Sequence, residues 1–237
     1  MFCFVVSLLM SSFPCEIESY LHAWDRAVET DNSSEIEQTY HDTAMLYFDK
    51  TVVSNRHEIA QFWVAKDLKN LKSSSLKILP KGPNRFMDFG KISSSSAQFV
   101  TVTGWYLEMG AWKRELHVIL SKQPGSPAFS EVDLARRQWV KLANENRVDR
   151  LVAQLYTADC AYLSYGDVFS GHSGLIEAYQ YMGGADYHVD LSFCAGSALG
   201  VDRVLEVGYY MANGDMGPYL LVWRKEEIWK IELDANY

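Results

Sequence analysis

Two histidines of this chain each lie two residues away from a carboxylate. Glu115 precedes His117, and Asp190 follows His188. Residues two apart on a β-strand share one face, and a carboxylate beside an imidazole can orient it and raise its pKa, as a general base requires. Each pair is therefore a candidate catalytic pair. A surface pair or a half-buried histidine is the alternative interpretation of His117, and the apolar residues that alternate with His188 and Asp190 favour an outward position for the second pair.

The composition argues against several other kinds of site. The four cysteines have no C-x-x-C spacing and no paired histidines nearby, so we predict no metal site. We also predict no cofactor. The chain has 22 Lys and Arg residues against 30 Asp and Glu residues, a net charge of -8, and no basic run is interleaved with aromatic residues. Nucleic acid is therefore not a predicted partner.

An apolar segment occupies residues 1–15 and ends in Cys15. It is similar to the hydrophobic part of a secretory or lipoprotein signal, but it lacks a basic start. The alternative is an N-terminal arm that packs on the folded body. Two locations therefore stay open. An arm would be consistent with a cytoplasmic protein, and a signal segment would be consistent with an exported one. The segment is too short to span a bilayer, so we predict no membrane span.

The elements that would position these residues occur twice, because the chain contains an internal repeat. The segment from Thr39 to Trp63 aligns without a gap with the segment from Leu155 to Tyr179. Tyr40 falls on Tyr156, Trp63 falls on Tyr179, and apolar and turn positions coincide. A chain of 237 residues can hold two domains of ordinary size. We therefore predict an arm or signal over residues 1–15, a first domain over 16–122, a linker over 123–130 and a second domain over 131–237.

Helical spacing of apolar residues precedes each repeated block, and alternating spacing follows it. Each copy is therefore predicted to contain three helices and then the strands of an antiparallel sheet. After the third helix, the second copy has four predicted strands: Tyr187 to Phe193, Val204 to Met211, Tyr219 to Trp223 and Ile228 to Leu233. The first copy has three: Arg85 to Ile92, Phe99 to Leu107 and Glu115 to Leu120. It then runs into the breaker-rich segment Gln123 to Pro127, which predicts that its last strand is missing.

The second copy also carries the turn GHSGLI before its third helix and ends in VWRKEEIWKIELD. With this order of elements, the chain resembles the nuclear-transport-factor-2-like superfamily, in particular its SnoaL-like and ketosteroid-isomerase-like branches. The resemblance implies an α+β fold of two tandem cone-shaped domains, each with three helices packed on a strongly curved antiparallel sheet. Because members of this superfamily commonly pair through their sheets, it also implies an intramolecular pseudo-dimer of the two copies. The strand Tyr219 to Trp223 is apolar throughout, which predicts cover on both of its faces.

The chemistry of the ketosteroid-isomerase-like branch does not carry over to this sequence. That chemistry needs a carboxylate base on the first strand, with a tyrosine and a protonated acid as the oxyanion hole. The resemblance places the base at Phe48 in the first copy and at Ser164 in the second, and neither side chain can abstract a proton from carbon. It places the tyrosine near Trp24 in the first copy and near Trp139 or Val140 in the second, and it places the second acid near Leu220. An isomerase of that mechanism is therefore not predicted.

The resemblance instead indicates a ligand pocket inside the cone of the second copy. Four residues are predicted to contact the ligand, two from the first strand and two from helices: Tyr162, Ser164, Trp139 and Tyr179. A core tyrosine whose hydroxyl finds a backbone partner is the alternative interpretation of Tyr162. The first copy has Leu46 and Phe48 where the second has these two hydroxyls, and larger side chains fill a cavity.

These observations predict a small-molecule-binding protein, noncatalytic or weakly catalytic, that takes a small apolar molecule into its second domain. Two alternatives stay open. The first is an enzyme of the SnoaL-like cyclase, dehydratase or hydrolase type that uses one of the His–carboxylate pairs. The second is a protein interaction or oligomerisation module.

Overall fold

The described residues of each half of the chain form three α-helices and a six-stranded sheet. The computed structural model describes residues 13–127, 129–164 and 166–237. The chain divides into two compact units, with the division between Ser121 and Lys122. The predicted α+β fold of two tandem domains is confirmed.

Residues 1–12 of the apolar N-terminal segment lie outside the described residues. The prediction that this segment is an arm or a signal concerns mainly these residues and stays a prediction. Residues 13–15 lie in the first described helix, α1.

The described residues of the first domain form three helices and six strands. Helix α1 spans Phe13–Glu29, α2 spans Ser33–Gln38 and α3 spans Arg56–Lys66. The strands are β1 Tyr40–Phe48, β2 Thr51–Ser54, β3 Lys72–Pro80, β4 Arg85–Ser93, β5 Gln98–Glu108 and β6 Ala111–Ser121. Their order in the sheet is β2-β1-β6-β5-β4-β3, in which β1 and β6 run parallel and the other neighbours run antiparallel.

The second domain repeats this arrangement. Helix α4 spans Phe129–Ala143, α5 spans Val148–Leu155 and α6 spans Gly171–Ala178, and a 3-10 turn follows over Gln180–Gly183. The strands are β7 Tyr156–Ser164, β8 Asp167–Ser170, β9 Val189–Ala198, β10 Arg203–Ala212, β11 Asp215–Lys225 and β12 Trp229–Asn236. Their order is β8-β7-β12-β11-β10-β9, with β7 and β12 parallel.

The prediction that the first domain lacks its last strand is wrong. Strand β6 lies between β1 and β5, as β12 lies between β7 and β11 in the second domain. The strand that the sequence pattern missed is β3, whose sequence KSSSLKILP shows no clear alternation and ends in Pro80. Strand β3 lies at the edge of its sheet, where polar residues are frequent and proline is tolerated because no partner strand needs its N–H.

Strand β11 of the second domain is covered on both faces, as predicted. Residues 219 to 223 are all buried. Because alternate side chains of a strand point to opposite faces, both faces of the sheet are covered at this position. Tyr219, Leu221 and Trp223 belong to the main core of the domain, which α4 and α5 share.

A β-bulge interrupts the last strand of each domain in chain order, β6 in the first and β12 in the second. The extra residue is Glu115 in β6 and Glu232 in β12. Each of these glutamates binds an arginine at the start of a nearby strand, with Nε of Arg85 at 3.2 Å from Glu115 and Nε of Arg203 at 2.6 Å from Glu232. A bulge leaves its extra residue without an opposite partner and shifts the register. Side chains after it therefore point to the face opposite to the one that simple alternation predicts.

Candidate functional site

A cavity of about 490 Å³ opens in the second domain between its helices and its sheet. Its wall is formed by α4, by the segment after α6 and by strands β7, β9, β10, β11 and β12. All four residues predicted from the sequence to contact a ligand lie in this wall: Trp139, Tyr162, Ser164 and Tyr179. The structure thus brings them together, and their binding of a ligand stays a prediction.

The register of two parallel strands builds the floor of this cavity. Tyr162 lies opposite Asp234, and Ser164 lies opposite Asn236. All four side chains line the cavity, since alternate residues of a strand share a face. Nδ2 of Asn236 donates a hydrogen bond to the hydroxyl of Tyr162 at 3.2 Å.

Asp234 is the centre of a buried hydrogen-bond network. Its side chain accepts two bonds on the same oxygen, Oδ2, from the hydroxyl of Tyr156 at 2.7 Å and from the hydroxyl of Tyr179 at 2.5 Å. Nε1 of Trp139 donates in turn to the hydroxyl of Tyr156 at 2.9 Å. The other oxygen of Asp234, Oδ1, has no hydrogen-bond partner among the described residues. The floor of the cavity therefore presents one unused acceptor.

Burial changes the protonation of this network. Asp234 is 3% exposed, and burial raises the pKa of its carboxyl to about 6, although the hydrogen bonds from Tyr179 and Tyr156 partly offset that effect. Burial, with the nearby Asp234 charge, raises the pKa of Tyr156 and of Tyr179 well above the ordinary value. Both tyrosines therefore keep their protons and act as donors, while Asp234 changes charge close to neutral pH.

A row of aromatic rings forms one side of the cavity. The centroid of the Tyr179 ring lies 5.0 Å from that of Tyr162 and 6.3 Å from that of Tyr181. The ring of Tyr187 lies 5.6 Å from that of Tyr181. Asn146, in the turn between α4 and α5, fixes this segment because its Nδ2 donates to the carbonyl oxygens of Met182 and Tyr187, each at 3.1 Å.

Two glycines in the sheet make room for the opposite wall. Gly208 lies across from Tyr219, and Gly217 lies across from Tyr210. A Cβ atom on Gly208 would lie 2.7 Å from the Tyr219 ring, and one on Gly217 would lie 2.7 Å from the Tyr210 hydroxyl. Glycine at these positions therefore lets both rings lie close against the neighbouring strand, where they line the cavity.

The first domain has a related buried network at the same positions, although Nε1 of Trp24 has no hydrogen-bond partner among the described residues. His117 lies opposite Leu46, as Asp234 lies opposite Tyr162, the residue that the repeat aligns with Leu46. The hydroxyl of Tyr40 is 2.6 Å from Nδ1 of His117, and Nε1 of Trp63 donates to that hydroxyl at 3.0 Å. The four positions that hold Trp139, Tyr156, Tyr179 and Asp234 in the second domain hold Trp24, Tyr40, Trp63 and His117 in the first.

Aromatic side chains fill the corresponding space in the first domain. Phe48 stands at the position of Ser164, and its ring lies 5.6 Å from Phe62, 5.9 Å from Trp63 and 5.6 Å from Phe99. Burial, together with the charge of Arg114, holds the pKa of His117 well below its usual value. The imidazole is therefore neutral at physiological pH.

The predicted catalytic pair of His117 and Glu115 does not share a strand face. Glu115 is the extra residue of the bulge and binds Arg85, which lies opposite Tyr106 in β5. His117 is 2% exposed and contacts Tyr40 on the helix side of the sheet. The expectation failed because simple alternation does not hold across a bulge.

The second predicted pair, His188 and Asp190, is exposed. The residue between them, Val189, is buried and lines the cavity. This outward position is the one that the alternation predicted. Neither side chain reaches the wall of the cavity in the part of the chain that the structure describes.

Sequence reasoning missed Asp234, the residue at the centre of the site. In the segment Ile231 to Asp234, the two acids alternate with two apolar residues, so simple alternation places both acids on the outer face. The bulge at Glu232 brings Asp234 to the inner face instead. The repeat contained a signal, because Asp234 follows Glu232 by the same two positions as His117 follows Glu115.

Within the described ranges, no three His, Cys, Asp or Glu side chains cluster in a way that could hold a metal ion. No helix in the described part of the chain has the length and apolar character needed to cross a bilayer.

The fold and the site together define a tandem pair of α+β cone domains, of which the first is filled by aromatic residues and the second holds an open aromatic-lined cavity. No family model matches the chain. No curated protein matches it either.

Solved structures similar to this chain are NTF-2 like, ketosteroid isomerase-like and cystatin-like proteins. A ketosteroid isomerase-like protein from Erwinia carotovora atroseptica is 12% identical, with 48% of this chain covering 99% of that one at a TM-score of 0.40. An NTF-2 like protein from Shewanella oneidensis is 12% identical, with coverage of 46% and 97% and a TM-score of 0.40. A protein with a cystatin-like fold from Nostoc punctiforme is 12% identical, with coverage of 46% here and 90% there and a TM-score of 0.39. The likeness is one of fold alone.

Proposed function

We propose that the second domain binds a small molecule that has an apolar or aromatic body and one polar group. The observation that carries this proposal is the cavity of about 490 Å³ with the carboxyl of Asp234 in its floor. Pockets for small ligands typically measure about 300 to 1,000 Å³ and combine apolar walls with a few convergent polar groups. The apolar walls would supply most of the affinity, and Oδ1 of Asp234 would fix the orientation of the ligand.

The first domain supports this function as a packing partner and not as a second binding site. Phe48 and its aromatic neighbours occupy the space that corresponds to the cavity. Pairing of the two domains through their sheets, as a pseudo-dimer, stays a prediction. Small-angle X-ray scattering of the full chain tests it, because two domains joined only by the linker would give a larger radius of gyration than a paired arrangement.

An enzymatic role for the same cavity is the second candidate, and the protonation of Asp234 favours it. Burial raises the pKa of this carboxyl to about 6, and a general acid or base works best with a pKa near the operating pH. This residue replaces the two His–carboxylate pairs as the candidate for proton transfer. A bound ligand that is recovered unchanged supports the binding role, and a ligand that is converted supports the enzymatic one.

Untargeted native mass spectrometry of the purified full chain tests the proposal. We expect a small molecule to co-purify with the wild-type protein and to be lost in Ser164→Phe, because the new ring would enter the cavity as Phe48 does in the first domain. The matched control is Ser192→Phe, which adds the same ring at an exposed position of β9. Circular dichroism checks that both variants fold. Retention of the ligand by folded Ser164→Phe would contradict the proposed site.

A further inference from the structure

The charged side chains in the wall of the second-domain cavity are all of one sign. Among the described residues of that wall, they are Asp234 in the floor and Asp215 in β11. No described Lys, Arg or His lies in the wall. An anionic ligand would therefore meet two carboxylates and no cation. The electrostatic complement of this wall is a cation.

The hydrogen-bond donors of the network around Asp234 are already in use. The hydroxyls of Tyr156 and Tyr179 both donate to Oδ2 of Asp234, and Nε1 of Trp139 donates to Tyr156. An ionised carboxylate accepts hydrogen bonds and donates none. The free position at Oδ1 therefore suits a ligand group that donates.

The aromatic rings beside the floor favour a charged donor over a neutral one. Tyr162, Tyr179, Tyr181 and Tyr187 form a row with ring centroids 5.0 to 6.3 Å apart. The face of an aromatic ring carries negative potential and attracts an ammonium group within about 6 Å. A cation bound at Asp234 would lie beside Tyr179, whose hydroxyl bonds the carboxyl, and Tyr162, which lies opposite Asp234, so their rings would add to the attraction of the carboxylate.

We propose that the ligand is an organic ammonium ion whose aromatic or apolar body fills the cavity and whose N–H donates to Oδ1 of Asp234. This inference rests on the proposed function and names the chemical class of its ligand. A neutral alcohol can make the same hydrogen bond, but only the ammonium ion adds the attraction between opposite charges and the attraction of a cation to the aromatic faces. The site therefore discriminates between the two.

The pH dependence of binding follows from the groups around Asp234. Five titratable side chains near it lie on β7 and after α6: Tyr156, Cys160, Tyr179, Tyr181 and Tyr187. Burial raises the pKa of each of these five, so they are neutral at physiological pH. The other titratable side chains in the cavity wall are Tyr162, Tyr210, Tyr219 and Asp215. Of Asp234 and the five groups near it, Asp234 alone changes charge near pH 6. Affinity for an ammonium ion is therefore full above about pH 7 and falls about tenfold per pH unit well below about pH 6.

The test uses three probes with the same indole body and different tips: tryptamine, tryptophol and indolepropionate. Isothermal titration calorimetry on the full chain at about pH 7.5 is expected to show tryptamine binding at least about tenfold more tightly than tryptophol, and no binding of indolepropionate. Asp234→Asn is expected to reduce tryptamine binding to the level of tryptophol. The control Asp190→Asn removes an exposed carboxylate outside the cavity and should leave all three affinities unchanged.

Equal affinities for tryptamine and tryptophol, or tryptamine binding that Asp234→Asn does not weaken, overturn the ammonium proposal and leave a small-molecule pocket in place. Binding of none of the three probes also overturns the ammonium proposal. Native mass spectrometry of Ser164→Phe and its control Ser192→Phe then tests independently whether the cavity binds a small molecule. If Asp234→Asn does not fold, a pH series on the wild-type chain replaces it. Loss of tryptamine affinity below about pH 6 with constant tryptophol affinity supports the proposal, and parallel behaviour of the two probes contradicts it.

Discussion

Replacing Asp234 by asparagine tests whether the buried carboxyl opposes folding at neutral pH. Asparagine has nearly the same size and offers an oxygen to the hydroxyls of Tyr156 and Tyr179, but it does not ionise. In the folded chain, burial raises the pKa of Asp234 from 3.8 to about 6. The wild-type protein therefore carries a pH-dependent penalty that the variant lacks.

The size of this penalty follows from the shift in pKa. Because the folded-state pKa lies above the unfolded value, the native state binds more protons than the unfolded state between the two values, and stability falls as pH rises through that window. The full shift of the Asp234 pKa corresponds to about 3 kcal/mol. Between about pH 4.5 and about pH 7.5 the wild-type protein loses about 2 kcal/mol through this group, and Asp234→Asn loses none.

Urea unfolding of both proteins at these two pH values, followed by circular dichroism, measures the difference. Other groups, such as Asp88, whose pKa burial raises to about 6, contribute equally to both proteins and cancel. We expect the free energy of unfolding of Asp234→Asn, relative to wild type, to rise by about 2 kcal/mol from the lower to the higher pH. The control Asp190→Asn should show no such change. A relative stability of Asp234→Asn that does not depend on pH would refute the reasoning.

Three further substitutions test the packing inside each domain. Gly208→Ala should lower the free energy of unfolding, measured in urea, by about 3 kcal/mol, because the added Cβ would lie 2.1 Å from the carbonyl oxygen of Ser192. The control is Gly183→Ala, whose added Cβ would have no atom within 4 Å. This control should change the free energy of unfolding by less than about 1 kcal/mol. Arg114→Met should leave stability unchanged or raise it by about 1 kcal/mol in the same assay, because Nε and Nη1 of this buried guanidinium have no hydrogen-bond partner among the described residues. A similar loss in both glycine variants, or a loss of about 3 kcal/mol in Arg114→Met, would contradict these expectations.

The sequence predicted the two domains and one side of the candidate site. The gapless repeat located both copies of the first strand, and alternation along β7 was enough to place Tyr162 and Ser164 on one face. The sequence also predicted that Leu46 and Phe48 fill the corresponding space in the first domain, and the aromatic rings packed around Phe48 agree with this prediction. These inferences depend on regular strands, in which the position of a residue in the sequence determines the face of the sheet to which its side chain points.

The sequence did not predict what depends on irregular strands. The bulges at Glu115 and Glu232 reverse the alternation, so His117 could not be paired correctly and Asp234 could not be recognised as a cavity residue. Strand β3 was missed for a different reason. Only Ser73 and Leu79 of β3 are buried, so its serine-rich sequence lacks the apolar alternation by which strands are recognised.

The comparison of the two copies separates the structural role of the buried network from a role in binding. Both copies keep a buried tyrosine bonded to the side chain two residues after the bulge, and the first copy keeps it although Phe48 fills the space. Buried polar groups need hydrogen-bond partners in any core, so the network alone does not indicate a site. The second copy adds space, from Ser164 in place of Phe48, and an acceptor with no partner among the described residues, Oδ1 of Asp234. An unpaired acceptor costs stability unless a donor reaches it, and the cavity above Asp234 gives a ligand access to it.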